Sequence, residues 1–201
     1  GKCSTLSQAA GGGAGGSDYG ILVQSGSIVR STAVGGGAIT LTGYGGNTGG
    51  SGGNNYGVLI QNSGTFVTSL DGNITINGNM NGTGALSNTT GNNNYGVNIG
   101  TSGIVETTGH ATLTINGQGG GSGASINNYG MIVQSGAIVR STAVGGGAIT
   151  LTGYGGDNGG SGGSNFGVIL QTAGTSVTSR DGNITINGNM NGSGTLSTTT
   201  G

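Results

Sequence analysis

The chain has 201 residues with only four basic and five acidic side chains, a formal net charge of −1, 53 glycines and no proline. Four cations cannot form a phosphate-tracking stripe, which argues against a nucleic-acid partner. No apolar run reaches the length of a membrane span, and a single cysteine, Cys3, excludes an intrachain disulfide.

Hydrophobic residues make up 31% of the chain, and its Val, Ile and Leu stand in short alternating runs. Such a chain is not of the usual disordered kind, which stays soluble through net charge. The core it builds is thin, which suits an elongated solenoid better than a globule.

Residues 1–18 read as the tail of a preceding coil. From there an aromatic-glycine pair returns five times, at Tyr19-Gly20, Tyr56-Gly57, Tyr95-Gly96, Tyr129-Gly130 and Phe166-Gly167, at intervals of 37, 39, 34 and 37 residues. A fixed period of this size marks a repeat architecture whose units are stable only when stacked. The units are 19–55, 56–94, 95–128, 129–165 and 166–201, together one β-solenoid.

The second unit shows the grammar. Tyr56–Gln61 is a first strand, Asn62-Ser63-Gly64 a turn, and Thr65–Ser69 a second strand. Leu70-Asp71-Gly72 turns the chain again, Asn73–Asn77 is a third strand, and a Gly/Asn/Ser tract leads back to Tyr95. Strands of about five residues, rich in Val, Ile and Thr and bounded by Gly and Asn, follow from β-propensity and turn chemistry. Helix is not expected, since Gly, Thr, Asn and Ser are poor helix formers.

Alternation assigns the faces. In the first strand, Ile21, Val58, Val97, Met131 and Val168 point inward, as do Val23, Ile60, Ile99, Val133 and Leu170. The position between them holds Leu22, Leu59, Asn98, Ile132 and Ile169, and its Asn98 predicts the more exposed side. In the second strand Val29, Val67, Val105, Val139 and Val177 hold the inward site. In the third, the inward pairs are Ile39/Leu41, Ile74/Ile76, Leu113/Ile115, Ile149/Leu151 and Ile184/Ile186. Their outward partners, Thr40/Thr42, Thr75/Asn77, Thr114/Asn116, Thr150/Thr152 and Thr185/Asn187, form a polar ladder.

Stacked units put like on like, at roughly 4.8 Å per coil. The predicted fold is all-β: a right-handed parallel β-helix with three short strands per coil and no helices. One coil of about 37 residues per unit is favoured over two short ones, because the Gly-rich tracts have too few apolar side chains to line a second coil. The leading aromatics Tyr19, Tyr56, Tyr95, Tyr129 and Phe166 become a structural ladder.

A longer period overlies this one. From Tyr19 to Tyr129 is 110 residues, or three units, and segment 28–46 recurs unchanged at 138–156. Segment 71–82 recurs at 181–192. A three-coil block copied in tandem predicts an array that continues beyond both ends, with open strand edges that invite further stacking.

The unit Tyr-Gly-Val-x-Ile … Gly-x-x-Val-x-Ser … Gly-x-Ile-Thr-Ile-x-Gly resembles the β-helical repeats of very large bacterial surface proteins, the filamentous-haemagglutinin-like adhesins and autotransporter passengers. The resemblance covers about residues 19–201. It implies an exported, extracellular or cell-surface protein with a structural or adhesive role.

Sites of chemistry are sparse. The acids Asp18, Asp71, Glu106, Asp157 and Asp181 do not pair as a glycosidase requires. Asp71 and Asp181 sit before glycine in equivalent turns, three coils apart. His110 is the only histidine and lacks an acid or cysteine neighbour in sequence, so neither a triad nor a histidine-rich metal site is expected. No catalytic residue, metal site or cofactor is assigned. Asn81 and Asn191, in loop sequons, are candidate glycosylation acceptors.

The expected function is structural and non-enzymatic: part of a long surface protein or of a self-assembling extracellular filament. Its partner is then itself, through end-to-end or lateral association. The alternatives are an adhesin for cell-surface glycans and an ice-binding solenoid acting through the outward Thr-x-Thr/Asn ladder.

Overall fold

The computed structural model describes residues 3–8, 17–45, 52–79, 91–121, 124–156 and 163–189. Among them it is all-β, with sixteen strands in three parallel sheets. The first strands of the coils, β2 (Tyr19–Val23), β5 (Asn55–Gln61), β8 (Asn94–Gly100), β11 (Met131–Gln134) and β14 (Val168–Gln171), form one sheet. The second strands, β3 (Ile28–Ser31), β6 (Phe66–Ser69), β9 (Ile104–Thr107), β12 (Ile138–Ser141) and β15 (Ser176–Ser179), form another. The third strands, β4 (Ile39–Tyr44), β7 (Ile74–Asn79), β10 (Leu113–Gln118), β13 (Ile149–Tyr154) and β16 (Ile184–Asn189), form the last, which β1 (Cys3–Gln8) extends to six strands by pairing with β4.

Each strand pairs with its counterpart one unit away. Tyr19 lies beside Tyr56, Val67 beside Val105, and Ile149 beside Ile184. One repeat is therefore one coil of about 37 residues. The interior is a single cluster of the predicted inward columns, with Ile39, Ile60, Val67, Ile76, Val97 and Leu113 among its fully buried members.

Two alignments of residues hold the coil in shape. The first is glycine against glycine. Gly43, Gly78, Gly117 and Gly153 lie inside the third strands, and each faces the carbonyl of Gly57, Gly96, Gly130 or Gly167, within a first strand or immediately before one. A methyl group at Gly117 would collide with the Gly130 carbonyl oxygen, and one at Gly130 with the backbone nitrogen of Tyr154. At this corner two sheets meet backbone to backbone, so only glycine fits.

The second is a buried asparagine ladder at the head of the first strands from the second coil onward, with Asp18 in the equivalent place of the first coil. The carboxamide Nδ2 of Asn55 donates to Asn94 Oδ1 at 2.8 Å. Asn94 donates in turn to Asn128 at 2.7 Å, and Asn128 to Asn165 at 3.0 Å. The same groups close their own corners: Asn94 Nδ2 also reaches the Gly91 carbonyl at 2.6 Å. The residue before each of these asparagines, Asn54, Asn93, Asn127 or Ser164, has a left-handed φ near +60°. Asparagine tolerates that conformation better than most residues.

The face assignment needs one correction. Leu59, Asn98 and Ile132 are buried rather than exposed, with Asn98 at 5%. They lie outside the central cluster, as a second thin layer on the outer side of the first-strand sheet. Alternation places a residue on a face but carries no information about what lies against it. Asn98 Oδ1 has no hydrogen-bond partner there.

The two alignments carry distinct expectations for denaturant unfolding. Gly130→Ala forces backbone apart at the corner and is expected to cost about 3 kcal/mol. Gly163→Ala, where an added Cβ meets nothing, stays within about 0.5 kcal/mol of the parent; equal effects would mean that the glycine corner is not a packing constraint. Asn128→Ala removes the acceptor of the Asn94 backbone and side-chain N–H groups and one of the two donors to Asn165 Oδ1, and is expected to cost about 2–3 kcal/mol.

Candidate functional site

The outer face of the third-strand sheet gathers the most side-chain functionality. Its register sets Thr40, Thr75, Thr114, Thr150 and Thr185 in one column. Thr42, Asn77, Asn116, Thr152 and Asn187 form the next. All are half-buried except Thr185 and Asn187 on the last strand, which are exposed. Asn116 Nδ2 donates to Asn77 Oδ1 at 2.9 Å.

A third column lies beyond the strand ends foreseen from sequence. Each third strand runs two residues further, through its glycine, so that Tyr44, Gln118 and Tyr154 share the outward side. Tyr44 and Tyr154 are three coils apart. Between them lies a groove of about 250 Å³, with the two phenols, Thr42, Asn77, Asn116 and Gln118 on its walls and floor. Among the described residues no charged side chain lines it. It offers aromatic faces, amides and a hydroxyl.

These tyrosines were discoverable. Both sit in the identical segments 28–46 and 138–156, two residues after Thr42 and Thr152. Period-two alternation puts them on the outward side once the intervening glycine is recognised as strand rather than turn.

The aromatic column at the coil openings forms a continuous stack. Ring centroids are 5.3 Å apart for Tyr19–Tyr56, 5.3 Å for Tyr56–Tyr95, 5.2 Å for Tyr95–Tyr129 and 5.9 Å for Tyr129–Phe166. Such pairs contribute roughly 1 kcal/mol each beyond area burial. Burial pushes the phenols of Tyr56, Tyr95 and Tyr129 above their ordinary value, and neighbouring ladder tyrosines add to this at Tyr56 and Tyr95.

The acids are tied to backbone. Asp71 accepts from the Gly35 amide at 3.1 Å and the His110 amide at 3.3 Å, one coil away on either side. These bonds, Gly35 first, hold its carboxyl below the ordinary range. Asp181 accepts from Gly145 N at 2.7 Å. His110, which lacks an acid neighbour in sequence, thus has Asp71 beside its main chain, while its Nδ1 lies 3.0 Å from the Gly145 carbonyl. Glu106 pairs with Arg140 at 2.7 Å and accepts from Thr68.

The described residues hold no cluster of three or more His, Cys, Asp or Glu side chains. Asp157, Asn81 and Asn191 lie outside the described residues. Among the described residues no helix is long and apolar enough to cross a membrane.

Comparison with protein-family models, with curated proteins and with solved structures finds no match for this chain. Its class is defined by the fold alone: a tandem-repeat parallel β-solenoid.

The buried phenols make the fold sensitive to alkali. The folded state keeps protons that the unfolded chain loses once the pH passes about 10. Stability is therefore intact below that pH and falls as pH rises toward the raised folded values. In an alkaline titration, tyrosinate absorbance and loss of β-sheet circular dichroism are expected to develop together above about pH 10. Tyr95→Phe should move that transition upward; an unchanged midpoint would show that the buried ladder does not set it.

Proposed function

We propose that the chain is a non-enzymatic structural rod, a segment of an extracellular filament or of a long surface protein, whose product is length. The observation that carries this reading is the surface of the last coil. Ile184 and Ile186 are 42% and 46% exposed, whereas Ile149 and Leu151, the same positions one coil inward, are fully buried. Leu170 and Phe166 are exposed on the same coil.

A further coil laid on this edge extends every ladder in register. Among the described residues β14, β15 and β16 each pair on one side only, so the new coil finds an open strand edge and an apolar strip to cover. The low net charge supports close approach of one rod to another, since little repulsion opposes it. The likeness of the repeat grammar to filamentous-haemagglutinin-like and autotransporter repeats is what favours an extracellular or cell-surface setting.

The coil that covers the edge belongs to the same chain or to a second copy. The 201-residue chain is expected to associate end to end as concentration rises, seen as growing species in sedimentation velocity and as rods in negative-stain images. The double variant Ile184→Asp/Ile186→Asp alters only exposed positions, so it should fold yet remain short. Compact monomers of the parent at every concentration would sink the self-assembling form of the proposal.

A further inference from the structure

We propose that the groove between Tyr44 and Tyr154 is a binding site for a neutral oligosaccharide. The site lies on the side of the solenoid, on β4, β7, β10 and β13, and not at its end. It therefore does not rest on end-to-end assembly, and either proposal can fail without the other.

The geometry selects the ligand class. The two tyrosines stand three strand spacings apart, about 14 Å along the solenoid axis, and close the two ends of the groove. The C–H-bearing face of a sugar ring packs well on the face of a phenol, because the aromatic face is the negative part of its quadrupole. Between the rings, Asn77, Asn116 and Gln118 present carboxamides and Thr42 a hydroxyl. A carboxamide donates and accepts within one plane, which matches adjacent sugar hydroxyls.

Other ligands fit less well. Among the described residues the lining has no cation to hold a phosphate or uronate and no carboxylate to hold an amine or a metal. A peptide strand would need a free sheet edge, and β7 and β10 at the floor are paired on both sides. The groove volume, about 250 Å³, falls below the ~300–1,000 Å³ of drug-sized sites. It therefore holds one or two rings of a chain whose remainder lies along the Thr and Asn columns.

The internal duplication supports a role for this face. The two copies of the block differ in the first strands, at Ile21/Met131, Leu22/Ile132, Tyr56/Phe166, Leu59/Ile169 and Ile60/Leu170, and in the second, at Phe66/Ser176. Through the third strands, 39–44 against 149–154 and 74–79 against 184–189, they are identical. Further blocks of the same kind would repeat the tyrosine every three coils, so a long glycan would meet several weak sites in a row. Such linkage multiplies avidity without any new contact.

The chain has no tryptophan, so its intrinsic fluorescence reports on tyrosine. Titration with hexasaccharides of β-1,4-linked glucose, α-1,4-linked glucose and β-1,4-linked N-acetylglucosamine is expected to perturb that signal for at least one of them. A Kd on the order of 1 mM suits so small a site. Tyr154→Ala and Tyr44→Ala should each weaken binding by about tenfold or more, and Tyr154→Phe should retain most of it. Both tyrosines are half exposed, and circular dichroism checks that the variants fold.

Three results would each overturn the assignment: no binding to any of the three sugars at about ten times that concentration, binding that both alanine variants leave unchanged, or equal binding of a hexagalacturonate, which would remove the argument from neutrality.

Discussion

Everything in this solenoid depends on the approach of two backbones at one corner. The third-strand sheet and the first-strand sheet converge until Gly117 meets the Gly130 carbonyl, with the same contact repeated at Gly43, Gly78 and Gly153. No side chain separates the sheets there, so the cross-section narrows to a wedge. A wedge has a small interior, and two inward residues per first and third strand with one valine per second strand fill it. That is how a chain only 31% hydrophobic closes a buried core. The glycines are dense because the corner is narrow, and the core is sufficient because the corner is narrow.

The tight corner has a polar consequence. Where backbones converge, amides and carbonyls of the connecting tracts are drawn away from water, and each needs a partner. The asparagine ladder supplies one at the head of the first strands from the second coil onward, with the carboxamides of Asn55, Asn94 and Asn128 each joined to the next coil and to its own loop. It also indexes the stack, since a coil shifted by one residue would lose these bonds and turn its apolar column outward. The coil lengths vary, with ladder neighbours separated by 39, 34 and 37 residues. The Gly/Asn/Ser tracts absorb that variation, at the small cost expected for lengthening a surface loop.

Much of this was legible in the sequence. A column that must look alike in every coil repeats at the coil period, so the valine column, the Ile/Leu pairs and the aromatic stack all follow from Tyr19, Tyr56, Tyr95, Tyr129 and Phe166 as markers. What was not legible depended on the ambiguity of small polar residues. Gly78 and Gly117 have the composition of a turn, yet they lie inside strands, because close approach and tight turning select the same residue. That ambiguity hid the strand extension, and with it Tyr44 and Tyr154. Asn94 and Asn128 look like loop asparagines, although burial turns them into a ladder. Asn98 looks like a marker of exposure but is buried with an orphaned oxygen, a case in which side-chain chemistry and position disagree.

Two periods coexist, and they separate packing from surface. Packing explains sameness at every coil: glycine at the corner, asparagine at the ladder, valine in the wedge. It gives no reason for the third-strand end to read Tyr44, Gln118 and Tyr154, because these positions are half-buried and tolerate other residues; Asn189, one coil on, is buried. Duplication alone accounts for the return of tyrosine after 110 residues, but duplication copies all three strands alike. The copies have since diverged in the first strands and at Phe66/Ser176, at buried positions such as Ile21/Met131 and at more exposed ones such as Leu22/Ile132, while the third strands are unchanged in their core residues and their outward columns alike. Core positions accept exchanges such as Ile21 for Met131 because volume is nearly kept. The length of the rod and the chemistry of its grooved face are thus separate properties: the first comes from the coil period, the second from the three-coil period.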